Sequence, residues 1–427
     1  MGNLQSFYEE VLPRLPTSSQ EEVTEGIAAV LARQPLESIY DAMKLTLDPI
    51  VKRLVSMAET ANDKPSKLAI ADHLNLITIV ISEAKPYVSP REAGGHPCVR
   101  YCQEIFPVLA AICERFVDFA PIAERVCRCW RYMVLSYRTH TAPLLPQLAD
   151  KLAAGFSSSR QGCFLWATDS IVREFSHVDA DAQVPEETVG AIFAFYEQQA
   201  TTFLRALNDL QPEELPDVIE DFFRLAGDVL LYHSDRMLVS PLMSPVLEAA
   251  STSLTLLKEE PVLATLHFLR DFLAYAGEDA PASNFNGEDG TYAPKQNPPA
   301  TRQAVRALTL SGAGESITQR CLTGMMYSFP LEVFPDASGV LLSLFENMPA
   351  ETAQWTAQTI GQLPTGSVSE QEKERLLRNI QQRVESGEVR RVRGLLQDFT
   401  NSYRRRNVAP REGLGGGLGG ARFRFTG

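Results

Sequence analysis

The chain has 427 residues, 44% of them hydrophobic and 22% charged, a globular composition too long for one compact core. Its formal net charge of −13 argues against a surface devoted to nucleic acid, and no run reaches the ~18 apolar residues that a spanning helix needs. With no secretory signal at its start, a soluble intracellular protein of several domains, or an elongated repeat array, is expected.

The elements read as helices from the start. Met1-Gly2-Asn3-Leu4-Gln5-Ser6 matches the myristoylation pattern. However, an apolar helical period begins at once at Leu4, as it does inside a repeat, so a truncated start or a gene-model artefact is expected rather than a lipid anchor. Ser19 is placed to cap a helix over 21–34, where Val23, Ile27, Val30 and Leu31 share a face and Pro35 closes the pattern. Over 36–59, Ile39, Met43, Leu47, Ile50, Leu54 and Met57 fall on one side. Further helical patterns follow at 67–83, 98–118, 122–138, 143–155, 162–176, 186–208, 214–233, 241–256, 259–276, 301–329, 336–347, 350–362, 369–385 and 388–404. No alternating run marks a strand, and Asn286-Gly287 lies in a polar loop rather than between two strands. The fold class is all-α.

Helix pairs recur about every 40 residues, the period of HEAT and armadillo arrays. Prolines stand near helix entrances (Pro97, Pro121, Pro143, Pro185, Pro241, Pro261 and Pro349), where the missing N–H costs nothing. A pair cannot bury its apolar face alone and must stack on its neighbours, so a HEAT-repeat α-α superhelix over residues 1–407 is expected. A Pro-, Asn-, Gly- and acid-rich insert interrupts it at 279–300. Residues 408–427 hold Gly-Leu-Gly-Gly-Gly-Leu-Gly-Gly and two Arg-Phe pairs, a Gly/Arg-rich composition expected to be disordered.

The charge is uneven. Residues 373–427 carry 13 Lys/Arg against five Asp/Glu, a local +8, which leaves −21 for the rest. An acidic body suits cationic partners. The basic end, Arg390-Arg391, Arg393 and Arg404-Arg405-Arg406, reads either as cations complementing the end of the last helix or as an RNA-binding or targeting arm.

Catalytic signatures are missing: there is no nucleophile elbow, P-loop, dinucleotide fingerprint or His-Glu-x-x-His. The six histidines (73, 96, 140, 177, 233, 267) are scattered. A binding protein with no cofactor is expected rather than an enzyme. Seven cysteines, an odd number, do not make a disulfide framework and suit a reducing compartment. His96, Cys98, Cys102, Cys127 and Cys129 offer soft ligands for zinc, but Cys127 and Cys129 sit about 200° apart on a helix. Buried thiols packed as small hydrophobes are the expected reading, with no metal.

The segment 122–138 carries the most information. Ile122, Val126, Cys129, Trp130, Met133 and Tyr137 share a face about 100° wide. Arg125, Arg128 and Arg131 recur at every third residue, each about 4.5 Å further along the axis, with no acid among them. Three guanidinium forks in a row form a ladder for bidentate anions. An extended chain phosphorylated on every second residue presents charges about every 6.6 Å, within reach of such side chains. The other reading is a solvated basic face, or ion pairs with acids of a neighbouring helix.

These residues carry a resemblance. His96-Pro-Cys98, Gln103-Glu-Ile-Phe-Pro-Val-Leu109, Glu124-Arg-Val-Cys-Arg-Cys-Trp-Arg131 and Cys163-Phe-Leu165 resemble the transportin-SR branch of the importin-β nuclear import receptors. So do Asp221-Phe-Phe-Arg-Leu-Ala226, Phe268-Leu-Arg-Asp-Phe272 and Asp398-Phe-Thr400. The matches run in order from Val23-Thr-Glu-Gly26 onward and cover about the C-terminal half of such a receptor, with fungal members the most similar. The resemblance implies a HEAT-repeat carrier, shuttling between cytoplasm and nucleus, that imports serine/arginine-rich splicing and mRNA-binding proteins, passes nucleoporins and releases cargo to Ran-GTP. It implies that Arg125, Arg128 and Arg131 grip the phosphorylated cargo. Leu135 stands where the family carries a further arginine, and Arg138, one turn on, partly replaces it. The principal Ran-binding repeats of such receptors lie in the N-terminal half, outside this chain. Two other readings remain at this point: a HEAT scaffold without a transport role, and an RNA or tRNA carrier using the basic C-terminus.

Overall fold

The computed structural model describes residues 7–89, 95–176, 184–279 and 296–408. The hexapeptide at the start, His177, most of the 279–300 insert and the tail from 409 lie outside the described residues. Everything described is helix, turn or loop, apart from one isolated antiparallel bridge between Asp279 and Gln296. No helix is long and apolar enough to cross a membrane among the described residues. The chain divides into two compact units, up to Gln199 and from Ala200 onward.

The first unit holds α1 (Thr17–Leu31), α2 (Leu36–Thr60), α3 (Lys64–Glu83), α4 (Pro97–Arg115), α5 (Ala120–Tyr137), α6 (Leu145–Ser159) and α7 (Cys163–Ser176). The pairs α2–α3, α4–α5 and α6–α7 fold back as hairpins and stack in two layers. α1, α3, α5 and α7 lie side by side in one layer; α2, α4 and α6 lie in the other. This is the HEAT-like stack expected from the period: each helix buries one apolar stripe against its hairpin partner and flanks against its layer neighbours. Pro97 and Pro121 occupy first-turn positions of α4 and α5. α3 starts at a capping box, with the Asp63 carboxylate accepting from the Ser66 N–H at 2.8 Å. Ser19 does not cap, contrary to expectation. α1 begins at Thr17, four residues earlier than expected and behind Pro16, which leaves Ser19 inside its first turn.

α8 (Glu186–Asp209) spans the division between units. The second unit continues with α9 (Pro216–Tyr232), α10 (Met243–Ser253), α11 (Glu259–Ala274), α12 (Pro299–Leu308), α13 (Gly314–Thr323), α14 (Phe334–Asn347), α15 (Pro349–Gly361), α16 (Glu370–Glu385) and α17 (Arg390–Asn407). It is again two-layered, with α9, α11, α14 and α17 in one layer and α10, α13, α15 and α16 in the other. Phe203 and Phe222 stack at 3.8 Å within its core.

The uninterrupted pattern at 301–329 is not one straight helix. α12 and α13 are joined across a kink at Thr309–Ala313, where Gly312 takes φ 122°, a region open to glycine but strained for other residues. The 279–300 insert has a fixed stem. The Asn297 amide donates to the carbonyls of Ala274, Gly277 and Asp279 at 3.0–3.1 Å.

One glycine marks a close helix contact in the first unit. A Cβ on Gly155 in α6 would overlap the buried ring of Phe164 in α7. Gly155→Ala is therefore expected to destabilise by about 1–3 kcal/mol, although alanine favours a helix over glycine by up to about 1 kcal/mol. A lowered urea midpoint is the expected readout. An unchanged or raised midpoint would show that α6 and α7 separate freely.

Candidate functional site

α5 is amphipathic in a way that sets its orientation. Ile122, Val126, Cys129, Trp130, Met133 and Tyr137 are all at most 1% exposed, so the predicted stripe is the buried one. The opposite side faces out from the layer α1–α3–α5–α7, and it carries the arginines. Residues six apart on a helix lie about 9 Å apart along the axis and about 120° apart around it, so Arg125 and Arg131 lean toward opposite neighbours with Arg128 between them.

The contacts follow that geometry. Arg125 leans toward α3, where its Nη1 donates to Asn75 Oδ1 at 2.7 Å. Asn75 Nδ2 in turn donates to Glu21 Oε1 of α1 at 2.7 Å. Arg131 leans toward α7, and its guanidinium lies over the Trp166 ring at 5.5 Å, a cation–π contact. Both arginines are half-buried, whereas Arg128 is exposed. Among the described residues, none of the three forms an ion pair with a carboxylate.

Arg138 behaves differently. α5 ends at Tyr137, and Arg138 turns off the helix at φ 48° to open a 3-10 segment, Arg138–Leu144. Its Nε pairs with Glu174 at 3.1 Å, so it does not extend the ladder as a further rung of the same helix. Leu135, half-buried, stands nearly in line with Arg128 two turns on and ends the row.

The thiols and His96 that sequence brought forward as soft ligands are accounted for individually. All seven cysteines are buried, and burial pushes the Cys98, Cys113, Cys129 and Cys321 thiols up to about 12. His96 Nδ1 accepts from the Cys98 N–H at the start of α4, and its Nε2–H donates to the Pro86 carbonyl at 3.3 Å. No three His, Cys, Asp or Glu side chains gather as metal ligands among the described residues.

The basic end is engaged within the second unit. Arg390 pairs with Glu346 at 3.3 Å and Arg391 with Glu388 at 2.9 Å. Arg393 bonds to Ser338 and the Pro335 carbonyl, Arg404 bonds to the Phe329 carbonyl, and Arg406 clasps Glu372 with both nitrogens. In the α9–α11–α14 layer, burial pushes the Asp271 carboxyl up, against the lowering charges of Arg270 and His267. Asp336 of α14 accepts from His267 at 3.1 Å.

Asn75, Glu21 and Trp166 are not visible from the spacing of α5. They come from neighbouring helices, and only the stacking brings them to the arginines.

Residues 96–202 match the family described as Transportin-3/Importin-13 fourth TPR domain. Over 420 residues the chain is 30% identical to an uncharacterised protein of Schizosaccharomyces pombe, covering 97% of this chain and 42% of that protein. It is 23% identical to the mRNA transport regulator MTR10 of Saccharomyces cerevisiae, covering 96% and 43%. It is 24% identical to Importin-13 of Gallus gallus, covering 93% and 40%. The fold is similar to that of importin-13 in its cytosolic state, with a TM-score of 0.72 at 14% identity, covering 94% of this chain and 43% of that one. The chain thus spans about two-fifths of the length of the relatives it matches. The matches support a chain of the importin-β kind without singling out the transportin-SR branch, and its named relatives are an mRNA transport regulator and importins.

Proposed function

We propose that this chain is the cargo-binding portion of a nuclear import receptor, and that its cargo is a phosphorylated arginine/serine-rich segment of a splicing or mRNA-binding protein. Likeness in order along nearly the whole chain to a regulator of mRNA transport and to an importin supports the carrier reading. The cargo chemistry rests on one observation: Arg125, Arg128 and Arg131 stand together on one layer of the stack with no carboxylate partner among the described residues. A solvated basic face would be expected to find acids, as Arg390, Arg391 and Arg406 of α17 do. The acidic residues of the chain, in excess over 1–372, complement the arginines of such a cargo, so both signs of an Arg–phosphoserine segment are met.

In this reading residues 1–407 form the array that holds cargo, with the tail of 408–427 beyond it. Ran-GTP and nucleoporins engage the whole receptor as it shuttles between cytoplasm and nucleus. The internal engagement of the α17 arginines favours this reading over an RNA arm.

The test is affinity for an Arg–Ser repeat peptide, phosphorylated and unphosphorylated, with the wild type and an Arg125→Ala/Arg128→Ala/Arg131→Ala variant. Phosphorylation is expected to tighten binding, and the variant to lose about 2 kcal/mol, or roughly 30-fold, the scale of charge-assisted bonds. If neither peptide binds, the scaffold reading takes its place. Steeply salt-dependent RNA binding that vanishes on deleting 404–427 would support the RNA carrier instead.

A further inference from the structure

Arg125 and Arg131 are both held in place, and both by neutral groups. Asn75 accepts one N–H of Arg125 at 2.7 Å. The amide of Asn75 is itself oriented, because its Nδ2 donates to Glu21 at 2.7 Å; the carboxylate thus lies one side chain removed from the guanidinium. Arg131 lies over the ring of Trp166 at 5.5 Å, a contact that uses the cation's charge and consumes none of its N–H donors in a hydrogen bond to a carboxylate. Arg138 is the contrast within the same unit, since its guanidinium is paired directly with the Glu174 carboxylate at 3.1 Å.

The distinction matters for an anion-binding site. A carboxylate partner fixes an arginine but cancels its charge, and an incoming phosphate must displace it. An amide oxygen or an indole face restricts the same rotamers and leaves the positive charge intact. A long side chain ordered before binding loses less entropy when the ligand arrives. One of the five N–H donors of Arg125 is used by Asn75, and among the described residues the others meet no carboxylate, which leaves them for bidentate contact.

We propose that Asn75 and Trp166 are the positioning residues of the arginine face. They hold Arg125 and Arg131 on opposite flanks of α5, still fully charged, while Arg128 between them stays free to follow the ligand. The ligand class is a peptide bearing several phosphoserines, with dianions gripped on the two flanks and Arg128 closing on the intervening charge. This inference rests on the proposed cargo reading and adds to it which neighbouring side chains set phosphate selectivity.

The experiment uses the full chain and the same Arg–Ser peptide, phosphorylated on every serine and unphosphorylated. Asn75→Asp keeps the size of the side chain but places a carboxylate beside Arg125. It is expected to weaken phosphopeptide binding at least tenfold and to leave or improve binding of the unphosphorylated peptide. Trp166→Leu is expected to weaken phosphopeptide binding about three- to tenfold, and Trp166→Phe to restore it. A merely structural role would move both peptides together. If the triple arginine variant loses phosphopeptide binding but Asn75→Asp and Trp166→Leu bind like wild type, the positioning role is overturned and the cargo reading survives. If the wild type does not prefer the phosphorylated peptide, both fall. Should Asn75→Asp fail to fold, as seen by circular dichroism, the Trp166 pair decides alone.

Discussion

Trp130→Ala is expected to destabilise the first unit by about 3–5 kcal/mol, the range for deleting a fully buried large aromatic. Trp130 is among the largest fully buried side chains, 1% exposed, and stacks on Phe106 of α4 with ring centroids 5.4 Å apart. It therefore ties α5 to its hairpin partner, and alanine leaves a cavity that close-packed helices fill only in part. Two neighbours of Trp130 in sequence are functional candidates: Arg131 adjoins it and Arg128 lies two residues before. Loosening α5 is thus expected to weaken phosphopeptide binding as well. The smaller change Trp130→Phe separates the two contributions. It keeps a ring against Phe106 and also removes an indole N–H that is buried without an acceptor among the described residues, so a cost below about 2 kcal/mol is expected. Urea unfolding followed by circular dichroism measures both. A wild-type midpoint for Trp130→Ala would mean that α4 and α5 are not held by this stack.

The second large effect is a loss of stability in mild acid that runs through His96. Burial is the main cause of its depressed pKa, the neighbouring His140 imidazole disfavours the charged form further, and together they lower it from 6.5 to about 4. The ring packs on Tyr137 at 4.8 Å and on His140 at 5.2 Å. Its neutral form is matched at both nitrogens: Nδ1 accepts from Cys98 and Nε2–H donates to Pro86. Between pH 6.5 and 4 the unfolded chain binds a proton at this residue that the folded chain does not, so stability falls as the pH falls. A shift of this size corresponds to up to about 3 kcal/mol, present above pH 6.5 and lost on acidification to pH 4. His96→Asn retains an acceptor for the start of α4 but does not titrate. The variant is expected to lose less stability than wild type between pH 7 and pH 4.5; equal losses would assign the acid sensitivity to other groups.

Much of the fold was legible because helical periodicity is a local property. The buried stripe from Ile122 to Tyr137 could be drawn from spacing alone, since 3.6 residues per turn dictates which side chains share a face whatever surrounds them. The HEAT-like period was legible for the same reason: each pair exposes an apolar face that only another pair can cover. Ends and kinks were less so. Arg138 reads as helical by pattern, but at the end of α5 the chain turns into a left-handed conformation. The pattern over 301–329 conceals a kink at Gly312, where one residue at positive φ redirects the chain without disturbing the apolar spacing.

The candidate site divides along the same line. Sequence by itself determined that Arg125, Arg128 and Arg131 lie on one helix, away from its apolar stripe, and that the C-terminal end is basic. The tertiary structure alone decided which of these charges are already engaged. Arg390, Arg391 and Arg406 of α17 meet Glu346, Glu388 and Glu372, whereas Arg125 meets an amide and Arg131 an indole. A charge-assisted bond forms across a few ångströms, and apart from Glu388, three residues before Arg391, the partners here belong to other helices that become neighbours only when the hairpins stack. Spacing along one helix specifies direction; what stands in that direction is set by packing.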